Sequence, residues 1–336
     1  MKGSNDVKPV ICVGSPVVDQ VAHVQENFLA KIGGEKGGME LVDASTFFNL
    51  LEELPERPGY TPGGSAGNTS FALARLGMPS RFLGALGDDH AGNFFREQLI
   101  QAGGDDTVIR VLPDLPTAQC LSLVTPDAER TMRTHLGAAM TFAAEHVTKK
   151  DFIGCRHAHI EGYMLFNPDL MLATLKAAKS AGCTISIDLA SFEVVHASRT
   201  ILQGLLSEYV DIVFANEEEA EAFAGSSDPE KGLDALAGLC RTAAVKIGEK
   251  GALLCHDGEY CQIPAVPVQK VVDTTGAGDF WAAGFLFGQL SGCTLQQSGG
   301  LGAMLGGTVV ACEGTALADK QWQELRISAS SNQLRN

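Results

Sequence analysis

The chain has 336 residues, 45% of them hydrophobic and 19% charged, which is enough apolar mass for a sizeable buried core and excludes a disordered chain. Its 40 acidic and 25 basic side chains leave a formal net charge of −15, which repels a nucleic acid backbone or an anionic membrane surface. The nine cysteines are odd in number and contain no C-x-x-C pair, so neither a disulfide framework nor a zinc ribbon is indicated. With no long apolar stretch in residues 1–9 and no apolar run of ~18 residues after it, a cytoplasmic protein is expected.

Val10-Ile11-Cys12-Val13, closed by Gly14, is the first predicted strand. Residues 17–42 then carry short β-like runs separated by Gly and Asp, and residues 107–135 repeat the pattern, in neither case with a crossover helix to cover them. Such runs cannot sit inside a doubly wound sheet, so both segments are assigned to a small β element that projects as a lid. Elsewhere helices and strands alternate: helices over 65–76, 90–102, 168–181, 193–206, 217–223 and 229–240, strands over 81–86, 158–160, 184–188, 212–215 and 243–247. The alternation predicts an α/β doubly wound αβα sandwich, and with no repeat or linker the whole of 1–336 reads as one domain.

Several segments carry candidate chemistry. Thr61-Pro62-Gly63-Gly64-Ser65-Ala66-Gly67-Asn68 opens the first long helix; Gly63 and Gly64 permit close backbone approach to a ligand, and Asn68 offers a donor and an acceptor to a polyol. The same residues satisfy G-x-S-x-G with Ser65 as nucleophile, but a hydrolase elbow needs a buried strand before it, and Leu54 to Tyr60 cannot supply a central one. Cys155, His157 and His159 alternate onto one face of a strand without a fourth ligand nearby, which favours a structural role over a metal site.

Asn216 and Glu219, three apart at the end of an apolar strand, share a face of the first helical turn and can hold hydrated Mg²⁺ at the carboxyl end of the sheet. The alternative is an acidic first turn that complements the helix dipole, the role left to Glu217 and Glu218. Lys246-Ile247-Gly248-Glu249-Lys250-Gly251 closes the next strand with a turn of the same kind; no Walker A loop or G-x-G-x-x-G occurs. In Val271-Val272-Asp273-Thr274-Thr275-Gly276-Ala277-Gly278-Asp279, a predicted strand enters a Gly-rich turn that opens an apolar helix. Consecutive amides and the helix dipole make that turn an anion site, and Asp279 at its edge can take a proton from an attacking hydroxyl, unless it merely caps the helix.

Taken together, Gly63-Gly64 with Asn68, Asn216-x-x-Glu219 and Asp273 to Asp279 resemble the PfkB (ribokinase-like) family of ATP-dependent kinases, over about Val10 to Gly314. Gly84 to Gly92 is similar to the family's other signature. Glu129-Arg130-Thr131-Met132, with Leu136-Gly137-Ala138-Ala139 and Phe214 to Ala220, looks most like its adenosine-kinase-like branch. The resemblance implies a ribokinase-like sandwich with a β lid that transfers a phosphoryl group from ATP to a primary hydroxyl of a sugar or ribose-containing substrate. It implies Asp279 as base, Gly276, Ala277 and Gly278 as anion hole, and Asp19 with Gly63, Gly64 and Asn68 on the polyol. Asn216, Glu219, Lys246, Gly248 and Gly251 are implied for the nucleotide, with Glu219 on Mg²⁺ through water. Potassium is expected at Asp273 and Thr275, with backbone carbonyls near Ala311 to Gly314 completing its shell. Ala303 stands where many members carry Asn beside the nucleotide base. Homodimerisation through the lid is a further expectation, and a non-catalytic sensor on the same fold is the alternative function.

Overall fold

An apolar tetrad with no polar alternation needs cover on both faces. In the computed structural model, which describes residues 7–127 and 129–333, Val10–Val13 has that cover: as strand β1 it is buried between two parallel neighbours. Residues 1–6, part of the N-terminal stretch read above, and position 128 in the second lid segment lie outside the described residues. The later strands are β2 (Val17–His23), β3 (Met39–Leu41), β4 (Tyr60–Gly63), β5 (Ser80–Leu83), β6 (Ala85–Gly87), β7 (Arg110–Leu112), β8 (Ala118–Val124) and β9 (Arg130–His135). They continue with β10 (His157–Glu161), β11 (Thr184–Asp188), β12 (Ile212–Asn216), β13 (Thr242–Lys246), β14 (Ala252–His256) and β15 (Glu259–Ile263). The helices are α1 (Glu26–Ile32), α2 (Ala44–Glu53), α3 (Ser65–Leu76), α4 (His90–Ala102), α5 (Gly137–Met140), α6 (Lys149–Phe152) and α7 (Pro168–Ser180). Then come α8 (Phe192–Tyr209), α9 (Glu217–Ala224), α10 (Pro229–Ala237), α11 (Ala277–Leu290), α12 (Leu295–Val309) and α13 (Asp319–Gln333).

The main sheet runs β15-β14-β13-β12-β11-β10-β1-β5, parallel from β5 to β13 and closed by an antiparallel hairpin. Ile11, Val13, Ile160 and Ile187 face α7, α8 and α10 on one side, while Val10, Cys12, Phe82 and Phe214 face α3, α4, α11 and α12 on the other. This is the expected αβα sandwich. The lid is a second sheet, β3-β9-β8-β2-β4, reached directly from β1 through Gly14, Ser15 and Pro16.

Three expectations need correction. The lid is not bare: Phe47, Leu50 and Leu51 of α2 and Leu29 of α1 pack on Leu121 and Leu123 of its sheet. The predicted strand 81–86 breaks at Gly84, because β5 stays in the main sheet while β6 pairs with β7; a Cβ on Gly84 would stand 2.3 Å from the Gly14 carbonyl oxygen. Finally, Val271 to Asp273 form no strand; the segment is held by the amides of Val272 and Asp273 donating to the Val310 carbonyl.

Candidate active site

In a parallel sheet the carboxyl ends of the strands open onto one crevice. Here Glu161, Asp188, Asn216 and Lys246 are the last residues of β10, β11, β12 and β13, and strand register puts Glu161 beside Asp188 and Asn216 beside Lys246. Lys246 Nζ donates to Asp188 Oδ2 at 2.7 Å. Burial alone would lower the Lys246 ammonium, but Asp188 and Glu219, with Asp279 behind them, hold it above its ordinary value. The Gly276–Gly278 turn comes up against Lys246. Gly276 adopts φ +73°, a left-handed conformation that favours glycine, and a Cβ on Gly278 would stand 3.0 Å from Lys246 Nζ.

Asp279 lies in the first turn of α11. Its Oδ1 accepts from Ser65 Oγ at 2.8 Å and its Oδ2 from Asn68 Nδ2 at 2.9 Å, while Thr69 Oγ1 donates to its main-chain oxygen at 3.1 Å. Burial pushes its carboxyl up to about 7 and the Asp188 charge adds to the rise, against the donors from Asn68 and Ser65 and the Lys246 charge. That value suits a group exchanging a proton near neutrality. The first turn of α3 thus serves Asp279 directly, which assigns Ser65 a partner: its hydroxyl donates to a carboxylate, and the strand before it, β4, is an edge strand of the lid. Neither feature fits a nucleophile elbow.

On the lid side Asp19 sits in β2, paired with Thr61 of β4 and Cys120 of β8. Its carboxylate packs where a Cβ on Gly63 would be, 2.2 Å from Oδ2, and Gly64 at φ +82° brings its Cα against the Ser15 carbonyl. Burial raises Asp19 to about 7, with Arg130 opposing and Asp273 adding to the shift. Asn68, in contrast, commits its amide to Asp279.

Asn216 and Glu219 form a reciprocal capping box: Asn216 Oδ1 accepts from the Glu219 amide and Glu219 Oε2 from the Asn216 amide, each at 2.8 Å. Glu219 is nonetheless buried, and burial together with the Asp188 charge raises it to about 7. Gly251 is accounted for by packing, since a Cβ there would lie 1.9 Å from the Ile263 carbonyl oxygen of the hairpin. Ala303, on α12, is buried in the apolar core that includes α11 and α12. His157 bridges Thr184 Oγ1 and Ser186 Oγ at 2.8 Å each, and His159 Nδ1 meets the same Ser186 Oγ at 2.8 Å, so the Cys155–His159 strand is structural. No group of three or more His, Cys, Asp or Glu suited to a metal ion exists among the described residues.

At the expected potassium site the structure departs from the resemblance. Gly314 turns its amide, not its carbonyl, to Asp273 Oδ2 at 2.7 Å, and the Arg130 guanidinium of β9 contacts both Asp273 Oδ2 and Thr275 Oγ1. Burial works against the Asp273 charge, but the donors from Thr275, Gly314 and Arg130 hold it below the ordinary carboxylate range. The sequence reading missed Asp188 and Glu161, although both end apolar strands as Asn216 does, and used Arg130 only as a branch marker.

The chain is similar to known proteins over most of its length. Residues 37–322 match the family model described as "pfkB family carbohydrate kinase". A structure described as a "probable sugar kinase protein" from Rhizobium etli superposes with a TM-score of 0.86 at 30% identity, covering 96% of this chain and 98% of that one. The adenosine kinase of Sinorhizobium meliloti gives a TM-score of 0.84 at 32% identity, covering 97% of this chain and 99% of its own. In sequence, the adenosine kinase of Saccharomyces cerevisiae is 28% identical over 326 residues, 88% of this chain and 93% of the yeast protein.

Proposed function

The chain belongs to the PfkB carbohydrate kinase family and is a phosphotransferase with an alcohol acceptor, and we propose that Asp279 is the base that takes the proton from that alcohol. One observation carries the assignment. A carboxyl raised to about 7 stands at the N-terminus of α11 beside the Gly276 turn, aimed by Ser65 and Asn68. The attacking hydroxyl gives its proton to Asp279 as its oxygen bonds to the γ-phosphorus and the bond from that phosphorus to the β–γ bridging oxygen breaks, ADP leaving with the electron pair, while the amides of Gly276 to Gly278 and the Lys246 ammonium meet the charge on the phosphoryl oxygens. Asp188, Glu219 and Asp279 outnumber Lys246 in the crevice, and because these carboxylates do not form a direct metal-binding cluster, Glu219 would hold a triphosphate-bound magnesium ion through water, and the ion would neutralise phosphate charge.

Asp19 is read as the carboxylate that grips two adjacent hydroxyls of the acceptor, with Gly63 and Gly64 giving the backbone room to approach. A ribose-containing acceptor, nucleoside or free sugar, fits this arrangement, and the adenosine kinases among the relatives favour the nucleoside. The monovalent cation implied by the resemblance is not part of the reading, because Arg130 stands against Asp273 and Thr275. The whole chain is read as one kinase domain with its lid inserted, dimeric through that lid and cytoplasmic; the free thiols, most of them buried, suit a reducing compartment.

Asp279→Asn tests the base. Asn caps a helix about as well as Asp, so the variant keeps near-normal thermal stability and ATP·Mg²⁺ binding, while turnover falls by ~10²–10⁴ for want of a proton acceptor. Wild-type turnover in the folded variant would remove the assignment. The acceptor itself is found by following ATP consumption over ribose, fructose, sugar phosphates and nucleosides.

A further inference from the structure

Asp273 and Thr275 immediately precede the anion turn, and the positive charge facing them belongs to the protein. Asp273 is buried and both its oxygens are occupied: Oδ1 accepts from the Thr275 amide at 2.9 Å and the Thr275 hydroxyl at 2.8 Å, Oδ2 from the Gly314 amide at 2.7 Å and from Arg130 Nη1. The same Nη1 donates to Thr275 Oγ1, and Nη2 reaches Ser122 Oγ on β8 at 2.9 Å. An alkali ion must be ringed by oxygens turned toward it. Here an amide hydrogen and a guanidinium fill directions such a shell would need.

We propose that Arg130 supplies in cis the fixed monovalent charge beside the anion turn, so that phosphoryl transfer by this chain requires no alkali cation. A guanidinium is charged at every working pH and its planar fork satisfies two acceptors at once, which a hydrated ion does only by shedding water. Because β9 is a lid strand, this charge is anchored to the lid sheet by the Ser122 contact and reaches the turn only while the lid sits over it. The turn's electrostatics are thereby tied to lid position.

The activity part of the test rests on the kinase reading; the stability part does not. Turnover and melting temperature are measured in potassium, sodium and tetramethylammonium chloride at matched ionic strength, in buffer otherwise free of alkali ions. The wild type is expected to give the same turnover and the same melting temperature in all three. Arg130→Ala should lose about tenfold or more in tetramethylammonium, the worth of one charge-assisted contact, and recover part of it, with a higher melting temperature, when potassium alone is added. Arg130→Lys keeps the charge and should stay indifferent to the cation. A wild type whose turnover or melting temperature depends on potassium overturns the proposal, as does an Arg130→Ala protein that potassium leaves unchanged. Should Arg130→Ala fail to fold, the wild type and Arg130→Lys decide. If no acceptor is phosphorylated in any buffer the kinase reading falls, and the melting temperatures alone decide on Arg130.

Discussion

Glu161 shows how one side chain at the end of the sheet can tie together segments far apart in sequence. Its Oε1 accepts from the Ser15 amide at 2.7 Å and its Oε2 from the Ala66 amide at 3.3 Å, so one buried carboxyl joins the β1-to-β2 crossing to the first turn of α3. Gly14 is glycine for the same reason: a Cβ there would lie 2.1 Å from Glu161 Oε2. Burial raises the Glu161 carboxyl from 4.5 to about 7 in spite of the two donors. The folded protein therefore keeps a proton that the unfolded chain has released, so this group's contribution to stability is complete below 4.5 and is lost as the pH rises through about 7. Glu161→Gln does not titrate and offers only one acceptor to two amides. It should be less stable than wild type at about pH 5, with the gap narrowing by about pH 8, as read from urea midpoints. Other groups, such as the buried neutral His157 and His159, are common to both proteins and cancel in the difference. A gap equal at both pH values would mean that Glu161 is ionised in the folded state throughout.

The pairing of α11 with α12 sets where Asp279 sits, and its glycines are unequal. α11 is buried nearly all round, with Phe280, Trp281, Ala283, Phe285 and Leu286 inside, so its position is fixed by shape rather than by an amphipathic face. A Cβ on Gly302 would meet the Trp281 indole at 2.9 Å, whereas one on Gly300, two residues earlier in α12, meets nothing within 4 Å. Gly302→Ala should destabilise by about 1–3 kcal/mol through overpacking, while Gly300→Ala should stabilise by about 0.5–1 kcal/mol by restricting the unfolded chain. Thermal melts of the two variants check both signs. A Gly302→Ala protein as stable as wild type would show that the two helices can part without cost, which would in turn unfix Asp279. Element α2 teaches a different lesson: Asp43 caps it by accepting from the Thr46 amide at 2.7 Å, and Phe47, Leu50, Leu51 and Leu54 recur at helical spacing. Cap and spacing together mark a helix in the sequence, just beyond the segment 17–42 assigned to the lid.

For the molecule as a whole, the lid ends in an open edge. β3 pairs with β9 on one side only, and Met39 and Leu41, on one face of it, are 54% and 57% exposed. An uncovered apolar edge strand is a pairing surface, which supports the dimer proposed through the lid. Sedimentation velocity should show a dimer for the wild type and a monomer for a Met39→Lys/Leu41→Lys double variant, because two charges per edge disfavour strand addition. A monomeric wild type at micromolar concentration would place the edge in solvent instead.

By itself the sequence determined the layered α/β architecture, the helices bounded by Pro168 and Pro229 and the Gly-rich turn that opens α11 with Asp279 in its first turn. These are legible because periodicity, proline and glycine act over a few residues, and because Asp273 to Asp279 holds its chemistry within one short segment. What only the tertiary structure decided was the company each group keeps. Ser65 and Asn68 reach Asp279 across more than 200 residues, Glu161 reaches Ser15 across 146, and Arg130 reaches Asp273 across 143. No local pattern encodes such separations. Whether a carboxylate faces a guanidinium or solvent is settled by packing between the lid and the sheet, and at Asp273 that packing set an arginine where the family resemblance implied potassium.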